Sequence, residues 1–234
     1  MARMRQAKQK YKVWLASPQW RERLPEIAAD GMESIGPLIA LLPLDVLTRH
    51  KAAVALGQST AMVAASAMEA AHNILRRLMW HMNEESGNIG WGIPEAFAEI
   101  LVASEPLAEK YHRILCSYIM DLGHDDNYCD HDILRRSCYW AIGRLAGARP
   151  ALCVYVRPWL NKGLADKDGV CQGMAAWALG QLAPDIMDAP ALQRLARTEN
   201  TPLCEIFDGE AVHSIPAARL AEQALHRQRN GENA

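Results

Sequence analysis

The residue types best suited to chemistry gather in one stretch of this 234-residue chain, positions 76–95. Arg76, Arg77 and Trp80 run into Asn83, Glu84 and Glu85, glycines at 87, 90 and 92 surround Trp91, and Pro94 and Glu95 open a new helical pattern. Two adjacent carboxylates can transfer a proton or hold a cation. Glycines beside a helix N-terminus let backbone N–H groups converge on an anion. The Lys-Ser/Thr that completes a Walker phosphate loop does not follow these glycines, and Glu84 and Glu85 oppose an anion. The favoured reading is a locked turn. Glu84 or Glu85 pairs with Arg76 or Arg77, and the tryptophans pack between repeats; the alternative is a partner-binding hot spot.

Other clusters carry less. His124, Cys129 and His131 are metal-ligand types in one loop. Their spacing fits no zinc rule, and Asp and Asn around them are what a turn uses for capping, so no metal and no cofactor is expected. Nucleophilic catalysis needs a nucleophile oriented by a base. There is no Gly-x-Ser-x-Gly, and no spacing pairs a cysteine with a histidine. Trp140 and Trp177 stand 37 residues apart, with Arg144 and Gln181 one helical turn beyond each. They either line a binding surface or fill the core at a helix junction, and core filling is favoured for Trp177. A polar position recurs at Gln58, Glu99, Arg144, Gln181 and Glu222, and it fits either a lined face or a link between neighbouring helices.

These side chains must be positioned by helices. Half the residues are apolar, only two are Phe, and strand-length runs of Val, Ile and Thr are scarce. A chain this long buries a core without disulfides. The six cysteines are scattered with no Cys-x-x-Cys pair, which reads as reduced, buried thiols in cytosol. No run reaches bilayer-spanning length, and no secretory signal pattern opens the chain. The expected location is cytoplasmic. Net charge is −2, which argues against nucleic acid as a partner. The first 23 residues nevertheless hold Arg3, Arg5, Lys8, Lys10, Lys12, Arg21 and Arg23 against one acid, Glu22. That arm fits an acidic partner or a nucleic-acid backbone, but a frayed, solvated terminus is favoured.

A repeat sets the architecture. Ala55-Leu56-Gly57-Gln58, Ala96-Phe97-Ala98-Glu99, Ala141-Ile142-Gly143-Arg144, Ala178-Leu179-Gly180-Gln181 and Arg219-Leu220-Ala221-Glu222 share one pattern, with spacings of 41, 45, 37 and 41 between their third positions. Periods near 40 belong to helical-hairpin solenoids, in which neither helix of a unit buries its apolar stripe alone. Gly costs about 1 kcal/mol in a helix relative to Ala, so its recurrence at matched positions signals close helix approach. The pattern places helix pairs at about 35–43 and 46–65, 68–83 and 93–103, 107–122 and 131–146, and 151–164 and 168–183. A short helix near 190–198 follows. Asp208-Gly209 then signals a two-residue β-hairpin, taken as an end cap in preference to an edge for a partner strand. Ser214 and Pro216 are placed at the start of a last helix.

The fourth unit, Leu164-Ala165-Asp166-Lys167-Asp168-Gly169-Val170-Cys171-Gln172 followed by Ala175-Ala176-Trp177-Ala178-Leu179-Gly180, resembles the HEAT-like repeat named after phycobilisome lyases. That family's turn reads Leu-x-Asp-x-Asp-x-x-Val-Arg; here Cys171 and Gln172 stand at the last two positions, and Arg49 and Arg135 keep the Arg in the first and third units. Gly90 and His213 occupy it in the second and fifth, so the Asp–Arg ladder that the family implies is incomplete. Asp166 or Asp168 is expected to cap the second helix of its pair. The 76–95 stretch also resembles an uncharacterised bacterial group of HEAT-repeat proteins that keeps Asn-Glu-Glu-Ser-Gly and Gly-Trp-Gly-x-Pro-Glu together.

The expectation is an all-α superhelix, an α-solenoid of about five HEAT-like hairpins with a possible small β-hairpin near the C-terminus. Residues 1–30 form a basic arm and capping helix, and residues 31–234 one repeat array. The expected function is a non-catalytic scaffold or adaptor for another protein, using the concave face and the 76–95 loop. Its binding residues are Arg76, Arg77, Trp80, Asn83, Glu84, Glu85, Trp91, Glu95, Glu99, Trp140 and Arg144. The rival is an enzyme, resembling either the HEAT-fold group that acts on alkylated DNA bases or a bilin lyase.

Overall fold

The computed structural model of the protein describes residues 2–83, 89–124 and 126–231. Glu84 and Glu85 lie outside them. The described residues form α-helices and one C-terminal β-hairpin. The chain divides into two compact units, Met1–Tyr111 and His112–Ala234.

In the first unit the elements are α1 (Ala2–Ala16), a 3-10 turn (Trp20–Arg23), α2 (Leu24–Ala29), α3 (Met32–Ile39), α4 (Val46–Ser66), α5 (Met68–Met82) and α6 (Ile93–Ala103), followed by the start of α7 (Glu105–Ser117). α4 is the centrepiece. Asp45 caps it by accepting from the Thr48 N–H at 3.0 Å. Its Ala-rich middle, Ala52, Ala53, Ala55 and Leu56, is wholly buried. Small side chains there let α6 come close enough that a Cβ on Gly57 would sit 2.6 Å from the Glu99 carbonyl oxygen.

The basic N-terminus is a docked helix, where the sequence reading favoured a solvated arm. Tyr11 and Leu15 are buried. The Tyr11 hydroxyl donates to Asp30 at 2.6 Å, and Arg3 pairs with Glu33 at 2.7 Å. The buried Lys51 of α4 donates to the Leu15 carbonyl at 3.1 Å. These anchors come from residues far along the chain, which local charge counting does not see.

The second unit holds the rest of α7, then α8 (Asp132–Ala148), 3-10 turns at Pro150–Leu152 and Val154–Val156, α9 (Arg157–Gly163), α10 (Gly169–Leu179), a 3-10 turn (Ile186–Asp188) and α11 (Ala189–Ala196). Strands β1 (Leu203–Phe207) and β2 (Val212–Pro216) and helix α12 (Ala217–Gly231) complete it. α10 packs against α8, α9 and α12. Its glycine backbone meets neighbours on both sides: a Cβ on Gly173 would lie 2.7 Å from the Ala217 Cβ. A Cβ on Gly143 of α8 would lie 2.6 Å from Cε3 of Trp177. Asp168 caps α10 through the Cys171 N–H at 2.8 Å. All six cysteines are free and buried, and all six fall in this unit.

Several boundaries differ from the sequence reading. The helix expected over 151–164 is two 3-10 turns and a helix that begins at Arg157, with Pro158 in its first turn. The hairpin loop has four residues, 208–211, and Asp208 closes it by accepting from the N–H groups of Glu210 and Ala211 at 2.8 and 2.9 Å. Ser214 and Pro216 lie in β2, opposite Glu205 and Leu203. The last helix is instead satisfied from across the hairpin: the Ala218 N–H donates to the Thr201 hydroxyl and the Ala217 N–H to the Pro202 carbonyl, both at 3.0 Å.

Candidate functional site

In the first unit, α5 buries Ala71, Ile74, Leu75 and Leu78 and leaves Arg76, Arg77 and Trp80 in solvent. That division follows from helical spacing of its apolar residues. Trp80 is 54% exposed, unusual for so large a ring. Arg76 donates to Glu69 at 2.6 Å and to Asn73 at 2.7 Å within its own helix, and its expected pairing with Glu84 or Glu85 lies outside the described residues. Arg77, one turn before Trp80, is exposed, and the His81 imidazole is held below its ordinary range by burial first and by Arg77 second.

The chain then folds back over the end of α5. A Cβ on Gly90 would approach the His81 carbonyl oxygen at 2.9 Å, so the backbone lies directly on the helix terminus. Gly92 has φ +76, and a Cβ there would sit 2.7 Å from the Leu42 Cβ and 2.9 Å from the Arg49 Cγ. Only glycine satisfies both the left-handed conformation and the contact. Trp91 lies half-buried between these two pinned glycines, while Ile89 and Asn83 are exposed. The expected surface thus reduces to Arg77, Trp80, Asn83 and Trp91, with Ile89 added.

Glu95 and Glu99 are not on that surface. They are 3% and 4% exposed, four residues apart on the face of α6 that meets α4. The Arg49 guanidinium lies 3.8 Å from Glu95. His50, also buried, is pushed down to about 3 by desolvation and by Arg49. The carboxylates therefore belong to the helix seam. Sequence reasoning missed His50, although its place beside Arg49 at a repeat-matched position was a usable signal.

A second buried histidine, His72, was also missed. Lys110 Nζ lies 3.3 Å from its Nε2 and the Tyr111 hydroxyl 3.2 Å from its Nδ1. An ammonium only donates, so Nε2 presents a lone pair and Nδ1–H donates to the tyrosine oxygen.

In the second unit, Trp140 is 2% exposed and stacks on Trp177, with ring centroids 6.0 Å apart and planes 6° from parallel. Trp140 is thus core, and Trp177, which the sequence favoured as core, keeps partial exposure along with Arg144. The other prominent groups are ion pairs that tie α8 and α9 to acids in turns further along the chain. Arg135, 1% exposed, grips Asp166 through Nε and Nη2 at 2.9 and 3.0 Å and donates to the Cys129 and Asp130 carbonyls. Arg136 pairs with Asp168 at 2.6 Å, and Arg157 with the buried Asp188. His131 spends its Nδ1 capping α8 at the Leu134 N–H. Among the described residues no group of three or more His, Cys, Asp or Glu is placed to hold a metal.

No protein-family model matches the chain, and no curated protein does. Among solved structures, it is similar to the crystal structure of an engineered protein from the Northeast Structural Genomics Consortium. The two are 17% identical, with a TM-score of 0.51 over 95% of this chain and 97% of that one. That similarity concerns the fold alone. The class defined is an all-α protein with a C-terminal β-hairpin, and no helix among the described residues is long and apolar enough to cross a membrane.

Proposed function

We propose that this chain is a HEAT-like repeat scaffold that binds another protein through Arg77, Trp80, Asn83, Ile89 and Trp91, without chemistry of its own. The observation that carries the reading is Trp80. A ring 54% exposed at a helix end, beside the exposed Arg77 and a glycine-pinned turn, has the make-up of an interface anchor. The repeat reading is supported by Arg49 and Arg135. From matched positions each reaches an acid of the following helix pair, Glu95 at the start of α6 and Asp166 in the turn before α10. Gly57, Gly143 and Gly180 likewise mark close approaches to the following long helix.

The test is affinity isolation of the tagged chain, quantified by mass spectrometry, against Trp80→Ala and Arg77→Glu/Trp80→Ala. A stoichiometric protein partner is expected, weakened about thirtyfold or more by loss of the ring, with the helical circular dichroism unchanged. Undiminished capture by the double variant would reject this surface. Recovery of nucleic acid or a coloured small molecule in place of protein would reject the scaffold reading.

A further inference from the structure

The charge on α1 divides into two flanks with different fates. Residues are roughly 100° apart around a helix. Arg3 and Lys10 therefore share one flank, and they pair with Glu33 and Asp30 at 2.7 and 3.5 Å. Arg5, Lys8 and Lys12, spaced i, i+3 and i+7, share the other, with buried Tyr11 and Leu15 between the two. Among the described residues, neither Arg5 nor Lys8 has an ion-pair partner. Lys12 adds a little to the Thr48 hydrogen bond that holds the Asp45 carboxyl low. The result is a strip of cations about 10 Å long at 1.5 Å per residue. Met4 and Val13, 46% and 59% exposed, add apolar atoms to the same helix.

The surroundings select the kind of anion. The rings near this helix are not open to stacking on bases: Lys10 lies 4.3 Å from the centre of Trp14, and Trp20 is buried. Seven cations against one acid in the first 23 residues, set against a chain total of −2, leave a net −8 on everything that follows. Acids close to the strip, Asp45 beside Lys12 and Asp30 and Glu33 along the neighbouring flank, would meet an extended polyanion but not a short acidic element. We propose that the Arg5–Lys8–Lys12 strip docks an acidic helical segment of a partner protein, with Asp or Glu at i, i+3 or i+4, and i+7. This contact is separate from the Trp80 surface and does not rest on it.

The experiment is fluorescence anisotropy of a fluorescein-labelled, helix-forming Glu-rich peptide. The same titration is run with a labelled single-stranded DNA oligonucleotide and with phosphatidylserine vesicles. One variant carries Arg5→Glu, Lys8→Glu and Lys12→Glu. A control carries Lys167→Glu, Arg194→Glu and Arg197→Glu, exposed positions elsewhere, so both triples move the net charge from −2 to −8. Peptide binding should fall at least about tenfold in the α1 triple and stay unchanged in the control, and should fade between about 50 and about 300 mM salt. Arg5→Gln/Lys8→Gln/Lys12→Gln serves if the charge reversal disturbs folding. No binding, equal loss in both triples, or tighter binding of the oligonucleotide or vesicles than of the peptide would overturn the proposal.

Discussion

His50 makes the first unit sensitive to acid. Burial first, and Arg49 second, lower its pKa from 6.5 to about 3. The unfolded chain therefore takes up a proton near pH 6.5 that the folded chain refuses until about pH 3. Within that window each unit of acidification costs about 1.4 kcal/mol, and above pH 6.5 the effect vanishes. Chemical denaturation from pH 7 to pH 4.5 should show this slope, and His50→Gln should flatten it while lowering stability at neutral pH. A slope unchanged in the variant would show that other groups drive acid unfolding. At Arg135 the expectation concerns partnership. Arg135→Ala leaves Asp166 charged and nearly buried, so unfolding free energy should drop by about 3–5 kcal/mol. Arg135→Met/Asp166→Leu should recover much of that loss, because both charges are then gone.

Between elements, glycine identity decides spacing. Replacing Gly57 with Ala would gain helix propensity of up to about 1 kcal/mol in isolation. In place, the new Cβ would lie 2.6 Å from a backbone carbonyl oxygen of α6, which yields only if the helix moves. Net destabilisation of about 1–3 kcal/mol is expected. Gly36 of α3 is the control, since the nearest atom to a Cβ there is the flexible Met4 terminus at 3.7 Å. Gly36→Ala should be neutral or stabilising by about 0.5–1 kcal/mol. Thermal melts of the two variants moving together would contradict this account.

Across the whole molecule, the long helices α4, α6, α8, α10 and α12 were legible because one pattern of small, apolar and polar residues recurs near 40 residues in each. The capping role of Asp168 was legible for the same reason: it acts three residues along the chain. What escaped the sequence depends on distant residues. The docking of α1 rests on Asp30, Glu33 and Lys51. The burial of Glu95 and Glu99 depends on α4, some forty residues earlier. The 3-10 turns before α9 carry apolar residues that read equally well as helix. At the candidate surface, the sequence located Trp80 and the glycine turn. Which of its charged residues face solvent was settled by packing.

The confinement of every cysteine to His112–Ala234 gives the chain an asymmetric voice. Burial first, and the Asp168 carboxylate second, raise the Cys204 thiol to about 12, and Cys171 is also raised, so these two hold little thiolate at neutral pH in the folded form, while all six sulfurs are shielded by burial. A small alkylating reagent applied under native conditions must wait for the structure around a sulfur to open. Its rate of uptake therefore clocks the breathing of the C-terminal unit alone, while anything that loosens α1 to α6 passes unheard.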